Sequence, residues 1–312
     1  MRIAFTGKGG SGKSTLAALF VGFLRSAGHR VLAIDADVNV HLAPLLGVTA
    51  TPASAMSQPQ NAASIRRHLL GTNPRVSAVE QFVPTTPPGP GSRLVTLDPA
   101  DPVLAGHATA LDPGTHVLHV GTYEREDIGA GCYHGHLAIL ENLLSHLHLG
   151  AGDWVVCDMV AGTDAFANSL HAQFDLIVVV VEPTPESVSV ARRYRDLATA
   201  AGVGDVVVMV GNKVGDDVDL AYLTNELSGG PFAVVSMQAG LRRARQAGVC
   251  PTPQDLDDVA PLSRLVERAQ NGPMTPQRRA ALLRDLHLRL AEQSWVRNAY
   301  GDVTGQLGPV LA

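Results

Sequence analysis

Gly7-Lys8-Gly9-Gly10-Ser11-Gly12-Lys13-Ser14-Thr15 is the stretch whose reading decides the fold. It satisfies the phosphate-cradle pattern of a glycine, four residues, then Gly-Lys-Ser/Thr. Arg2-Ile3-Ala4-Phe5-Thr6 before it predicts a short buried strand, and Leu16 to Ala27 after it predicts an apolar helix stopped by Gly28. Strand, glycine loop and helix is the context the pattern requires. The glycines let backbone N–H groups turn onto an anion with no Cβ in the way. The helix N-terminus points its positive dipole end at the same place. On this reading Gly7 to Thr15 hold nucleotide phosphates, Lys13 reaches the β- and γ-phosphates, and the Ser14 hydroxyl ligates Mg²⁺.

The composition fits a globular chain. Its 312 residues suffice for one α/β core, with 46% hydrophobic and 17% charged. Met1-Arg2 leads straight into the first strand and leaves no room for a cleaved signal peptide. The longest strongly apolar run, Leu176 to Val181, is too short to span a bilayer. Cys132, Cys157 and Cys250 make no disulfide framework, so a cytoplasmic compartment is expected. A net charge of −5 gives no general reason to bind nucleic acid or acidic lipid. Of 24 basic residues only Lys8, Lys13 and Lys213 are lysines, and all three fall in nucleotide motifs. Those positions want a compact ammonium on a flexible stem rather than a planar fork.

Further acids stand where a ligand crevice would need them. Arg30 to Asp35 predicts a second strand ending in Asp35-Ala36-Asp37, and carboxylates at the carboxyl edge of a parallel sheet face the crevice. A carboxylate there can orient water for in-line attack, while a cap on the next helix is the other use for Asp37. Asp153 to Asp158 is a strand ending in an acid that would bind Mg²⁺ through water. Met159-Val160-Ala161-Gly162-Thr163-Asp164 follows it. Phe174 to Pro183 predicts a central strand, with Thr184 capping a helix that has Pro185 in its first turn. Asp205 to Lys213 and Pro231 to Ser236 predict the last two strands.

Other segments carry weaker patterns. Residues 51 to 116 are rich in proline, glycine, serine and threonine, with a helix expected over Ala62 to Leu70 and a strand over Arg93 to Leu97. Thr115 to Gly121 predicts a buried strand. In the helix beyond it Leu137, Leu140, Leu143, Leu144 and Leu147 share one face, and Glu141, Asn142, Ser145 and His146 the other. Cys132, His134 and His136 crowd the start of that helix, and Zn²⁺, Ni²⁺ and Fe accept such donors. One long helix is expected from Pro276 to about Tyr300, capped by Thr275 and packed on the sheet rather than laid on a membrane.

Lys8 directly after the first glycine sets this loop apart. The stretch resembles the deviant Walker A ATPases, the family of MinD, ParA, the nitrogenase iron protein, arsenite-pump ATPases and CooC-type maturation ATPases. The order of glycine loop, Asp-x-Asp, Asp-x-x-Ala-Gly and Gly-Asn-Lys sustains the resemblance over residues 1 to about 245. It implies an α/β fold, a doubly wound and mostly parallel sheet flanked by helices. One P-loop domain would span 1–312, with a loop-rich insertion at about 51–116 and a helical segment at about 255–300. No internal repeat doubles the loop.

The resemblance also implies roles. Lys8 would reach across to a partner's nucleotide in an ATP-sandwich homodimer, joining Lys13 and Asp37 as catalytic residues. Asp37 would hold the attacking water, Asp35 would lie near Mg²⁺ with Ser14 and Asp158, and Gly162 would sense the γ-phosphate. Asn212 and Lys213 would meet the base, Asn212 reading adenine; Gly215 stands where a guanine-reading aspartate would be, so ATP is preferred to GTP. Cys132 falls about where CooC-type ATPases carry a Cys-x-Cys metal pair, with His134 in place of the second cysteine. Two ligands per chain would make a tetrahedral Zn²⁺ or Ni²⁺ set between subunits. The other reading is a loop ahead of the helix with a buried cysteine and surface histidines. The function implied is a MgATP-hydrolysing switch that dimerises around ATP and serves metallocentre or client-protein maturation as CooC-like ATPases do. The alternative is a MinD/ParA-like positioning or partition ATPase, although neither membrane nor nucleic acid is favoured by the charge.

Overall fold

The structure is a computed structural model that describes residues 1–123 and 133–308. Its strands are β1 (Arg2–Gly7), β2 (Arg30–Ala36), β3 (Thr109–Asp112) and β4 (Thr115–His119). β5 (Asp153–Met159), β6 (Leu176–Val181), β7 (Val207–Val214) and β8 (Ala233–Ser236) complete one sheet in the order β3-β4-β2-β5-β1-β6-β7-β8. Every neighbouring pair is parallel except the β3–β4 hairpin. The winding reverses at β1, which lies between β5 and β6. A doubly wound sheet opens its ligand crevice at such a point, beyond the carboxyl ends of the strands. The glycine loop leaves β1 there. The register sets Asp35 of β2 directly beside Asp158 of β5, so the two strand-end acids are neighbours.

Helices cover both faces. They are α1 (Lys13–Ser26), α2 (Leu42–Leu45), α3 (Pro59–Leu70), α4 (Pro102–His107), α5 (Tyr133–Ser145) and α6 (Pro185–Ala200). After them come α7 (Asp217–Glu226), α8 (Ala239–Gln246), α9 (Ala260–Gln270), α10 (Pro276–Ala291) and α11 (Ser294–Tyr300). Side chains alternate across the pleat. Ile3, Phe5, Ala33 and Trp154 pack under α1 and α9, while Ala4, Ile34, Val155 and Val179 pack under α5 and α6. Both faces are covered, so the strands are near-continuous apolar runs. Phe20 of α1 sits 5.6 Å from Phe5 and 5.9 Å from Trp154 by ring centroid, which anchors the helix behind the glycine loop. Among the described residues no helix is long and apolar enough to cross a membrane.

Two expectations need correction. Arg93 to Leu97 is not a strand: Val95 alone bridges to Leu147, because the facing segment after α5 is too short to extend the ladder. The edge strand β3 is additional to the expected strands, and α9 lies within the helical segment expected at about 255–300. The terminal helix is two helices, because Gln293 is extended (φ −67°, ψ 132°) and turns Val296 into a small core with Val83, Ala291 and Val303. The polar side of α5 is as buried as its leucine side. Glu141 accepts from Ser169, Asn142 donates to the carbonyls of Val83 and Pro84, and the His146 ring meets the Asn142 carbonyl.

Candidate active site

The glycine loop is held from three sides. A Cβ on Gly7 (φ 149°) would come within 2.4 Å of the Val180 carbonyl, and one on Gly12 (φ 94°) within 2.4 Å of Asn212 Nδ2. Backbone space and torsion both require glycine at Gly7, while at Gly12 torsion favours it and a Cβ would push Asn212 aside. Asn212 Nδ2 donates to the Ser11 carbonyl at 2.7 Å. Lys213, itself left-handed at φ 58°, donates from Nζ to the Gly10 carbonyl and to Glu182 Oε1, each at 2.6 Å. The Gly162 N–H donates to the Gly7 carbonyl at 2.9 Å. Gly9 and Gly10 have no heavy atom near a would-be Cβ, so this lip of the loop is free of packing. Helix α1 starts at Lys13, earlier than its apolar pattern, and Gly12 caps it without a side-chain bond. Its first N–H groups are left for an anion.

Behind the loop lies a cluster of three buried acids and one ammonium. Lys13 Nζ lies 2.5 Å from Asp37 Oδ2 and 3.7 Å from Asp158 Oδ1. Burial alone would raise the Asp37 pKa, but the bond from Lys13 and two from Asn39, at 2.9 and 3.0 Å, hold it below the usual carboxylate value. Asp35 receives the Ala43 N–H at 2.9 Å, yet burial and the neighbouring Asp158 push it up to about 7. Burial lifts Asp158 to about 6 against the pull of Lys13. Burial would lower the Lys13 pKa, and the surrounding carboxylates, Asp158 foremost, raise it instead.

Among the described residues neither oxygen of Asp158 accepts a hydrogen bond, with Lys13 Nζ 3.7 Å away as its nearest cation. A buried acid left so calls for a cation or its water shell. The donors are hard oxygens, which fits Mg²⁺. Among the described residues no three His, Cys, Asp or Glu side chains converge as a self-sufficient metal site. That also fits Mg²⁺, which binds through one or two carboxylates with water and substrate phosphates. Cys132 and the side chain of His134 lie outside the described residues.

A cleft of about 600 Å³ continues from Gly12 and Thr15 to Asn212, Val235, Met237 and Leu241. It runs beside β8 and α8. Arg245 closes its floor with a bond to Thr15 Oγ1 at 2.7 Å. The sequence reading passed over Arg245, Glu182 and Asn39 as site residues. Their only signal is position, since each follows a recognised motif by a few residues or lies on the next helix. Lys8 is half-exposed on the rim, and its ammonium has no acid partner among the described residues.

A sequence model described as the CobQ/CobB/MinD/ParA nucleotide binding domain matches residues 3–272. The carbon monoxide dehydrogenase accessory protein CooC of Rhodospirillum rubrum is 29% identical over 261 residues, covering 80% of this chain and 88% of that protein. The fold is similar to a chain of the Aquifex aeolicus MinC:MinD cell division complex (TM-score 0.54, 15% identity, 88% of this chain and 96% of that one). It is likewise similar to the Pyrococcus furiosus cell division ATPase MinD (TM-score 0.52, 18% identity, 86% and 98%). With most of its length inside the family match, the chain belongs to the CobQ/CobB/MinD/ParA family of nucleotide-binding P-loop ATPases.

Proposed function

We propose that this protein is a MgATP-hydrolysing switch that closes as a homodimer around two ATP molecules. The observation that carries the reading is the pair of ammoniums on one loop. Lys13 is buried among acids at the start of α1, and Lys8 stands on the rim with no acid partner among the described residues. In this reading Lys13 exchanges Asp37 for the β- and γ-phosphates. Asp37, released, orients a water in line with the γ-phosphorus, and the bond to the ADP oxygen breaks as the water oxygen attaches. The Gly162 N–H leaves the Gly7 carbonyl for a γ-phosphate oxygen. Asn212 keeps Nδ2 on the loop and offers its Oδ1 to the adenine amine. Ser14, Asp35 and Asp158 would hold Mg²⁺, which would supply positive charge to offset that of the phosphates. Lys8 of each copy completes the partner's site.

The similarity to a carbon monoxide dehydrogenase accessory protein supports a client-maturation role rather than partition. Turnover and light scattering with ATP test the switch. Lys13→Ala should lose nucleotide binding. Lys8→Ala should bind ATP yet neither dimerise nor hydrolyse it, and wild-type turnover by Lys8→Ala would refute the sandwich. Metal analysis of the dimer, wild type against Cys132→Ser, tests transition-metal carriage; equal and negligible content in both would end that part.

A further inference from the structure

A second cavity, of about 770 Å³, opens between α5, the segment after Gly162, and helices α10 and α11. It shares no lining residue with the glycine loop or the base cleft. Its size is that of a small-molecule site. One wall is aromatic. Phe166 is fixed there by Tyr194, edge-on at 4.8 Å, and by His171 at 5.2 Å. Trp295 stands on the opposite rim, 51% exposed, with Tyr300 edge-on at 6.4 Å. An indole that exposed beside a cavity is an unused apolar surface.

The other wall is cationic and unpaired. Arg66 is half-buried and spends Nε on Asn142 Oδ1 at 2.9 Å. Among the described residues no carboxylate lies within ion-pair distance of its guanidinium, and its burial lowers its pKa. Arg289 on the rim likewise has no acid partner among them. Asn168 Nδ2 is buried without an acceptor among the described residues, while its Oδ1 holds the Leu170 N–H at 3.0 Å. Among the described lining residues Glu141 is the one acid, and its Oε2 is committed to both donors of Ser169. A desolvated guanidinium and an idle amide N–H are costly unless an anion meets them.

We propose that this cavity binds a small organic anion, a carboxylate, sulfonate or phosphate ester on a flat apolar body. Its head lies on Arg66 and the Asn168 amide, with Arg289 at the mouth, and its body lies between Phe166 and Trp295. The reading does not rest on nucleotide hydrolysis or dimerisation.

The probe is 1-anilinonaphthalene-8-sulfonate, which has an anionic head on an aromatic body and takes up energy from tryptophan. It is titrated into the full chain with and without excess MgADP, beside the neutral analogue N-phenyl-1-naphthylamine. One saturable site is expected, unaffected by MgADP, with quenching of tryptophan emission that is largely lost in Trp295→Phe. Trp154, the other tryptophan, is buried under α1. Arg66→Gln should weaken the sulfonate about tenfold, as loss of one charge-assisted hydrogen bond does, and leave the neutral analogue within about twofold. Should Arg66→Gln fail to fold, Arg289→Gln carries the same comparison with a weakening of about threefold. Displacement by MgADP, quenching that survives in Trp295→Phe, or equal affinity for the sulfonate with and without the arginine overturns the proposal.

Discussion

Replacing Glu141 by glutamine should stabilise the protein, and only on the alkaline side. Glu141 is 1% exposed inside α5, and its Oε2 accepts from the Ser169 N–H at 2.8 Å and from the Ser169 hydroxyl. Burial raises its pKa from 4.5 to about 7, with the Ser169 donors opposing. In the unfolded chain the carboxyl ionises near 4.5. Between there and pH 7 the unfolded state therefore sheds a proton that the folded state keeps. Stability falls across that window as pH rises and is level on either side of it. Each pH unit is worth about 1.4 kcal/mol, so the loss reaches about 3 kcal/mol above pH 7. Glutamine presents an acceptor to Ser169 and cannot ionise, so Glu141→Gln removes the slope. Urea unfolding of both proteins at about pH 5 and about pH 8 measures it: the variant's advantage should grow by about 3 kcal/mol between the two. A difference that stays constant with pH would show that the folded state ionises Glu141 as readily as the unfolded chain does, and the reasoning from burial would fail.

Gly12→Ala should fold but bind ATP at least about tenfold more weakly, since its Cβ would displace Asn212 from the loop; fluorescent-nucleotide titration checks this, and unchanged affinity would contradict it. Asn212→Ala frees the Ser11 carbonyl and should lower ATP affinity by about tenfold while erasing any preference over GTP, which competition between the two nucleotides reads directly. His287→Ala should cost about 3 kcal/mol in urea unfolding, because the fully buried ring ties Thr85 Oγ1 and the Val303 carbonyl together, each at 2.9 Å; a loss under about 1 kcal/mol would show the latch to be dispensable.

The nucleotide face is legible because its parts are contiguous. A glycine loop between strand and helix, and an acid closing a strand, each state their chemistry within a few residues. What the sequence hides is pairing at a distance. Asn212 reads as a base-recognition residue, yet its Nδ2 also serves as a strut under Ser11, 201 positions away. Helix α5 reads as leucines on one face and polar residues on the other. Periodicity records only that the two sides differ, and here the polar side is packed against the 79–86 and 164–172 segments. Strand β3 escapes because Thr109–Asp112 is a short, largely exposed edge with no alternation to detect. Arg93 to Leu97 misleads in the opposite way: Val95 and Leu97 do alternate inward, but only Val95 finds a bridging partner. The helix break at Gln293 has no proline or glycine to announce it and is imposed by the burial of Val296.

The cluster behind the loop explains why nucleotide and metal should arrive together. Among the described residues Lys13 is the one ammonium facing Asp35, Asp37 and Asp158, and its attention is divided between the last two. Phosphates that draw Lys13 away leave Asp37 without its counter-ion and three carboxylates facing a polyanion across a low-dielectric site. Two of those acids already have pKa values of about 7 and about 6, so they meet the deficit at neutral pH partly by holding protons. A divalent cation meets it instead without protonation, and it leaves Asp37 ionised and free to accept from a water. The side-by-side register of Asp35 and Asp158 across β2 and β5 is what creates the deficit, and it is built into the sheet rather than into a loop. On the proposed function, a need for a divalent cation would then arise from the strand pairing itself. Rearranging the glycine loop alone would not relieve it.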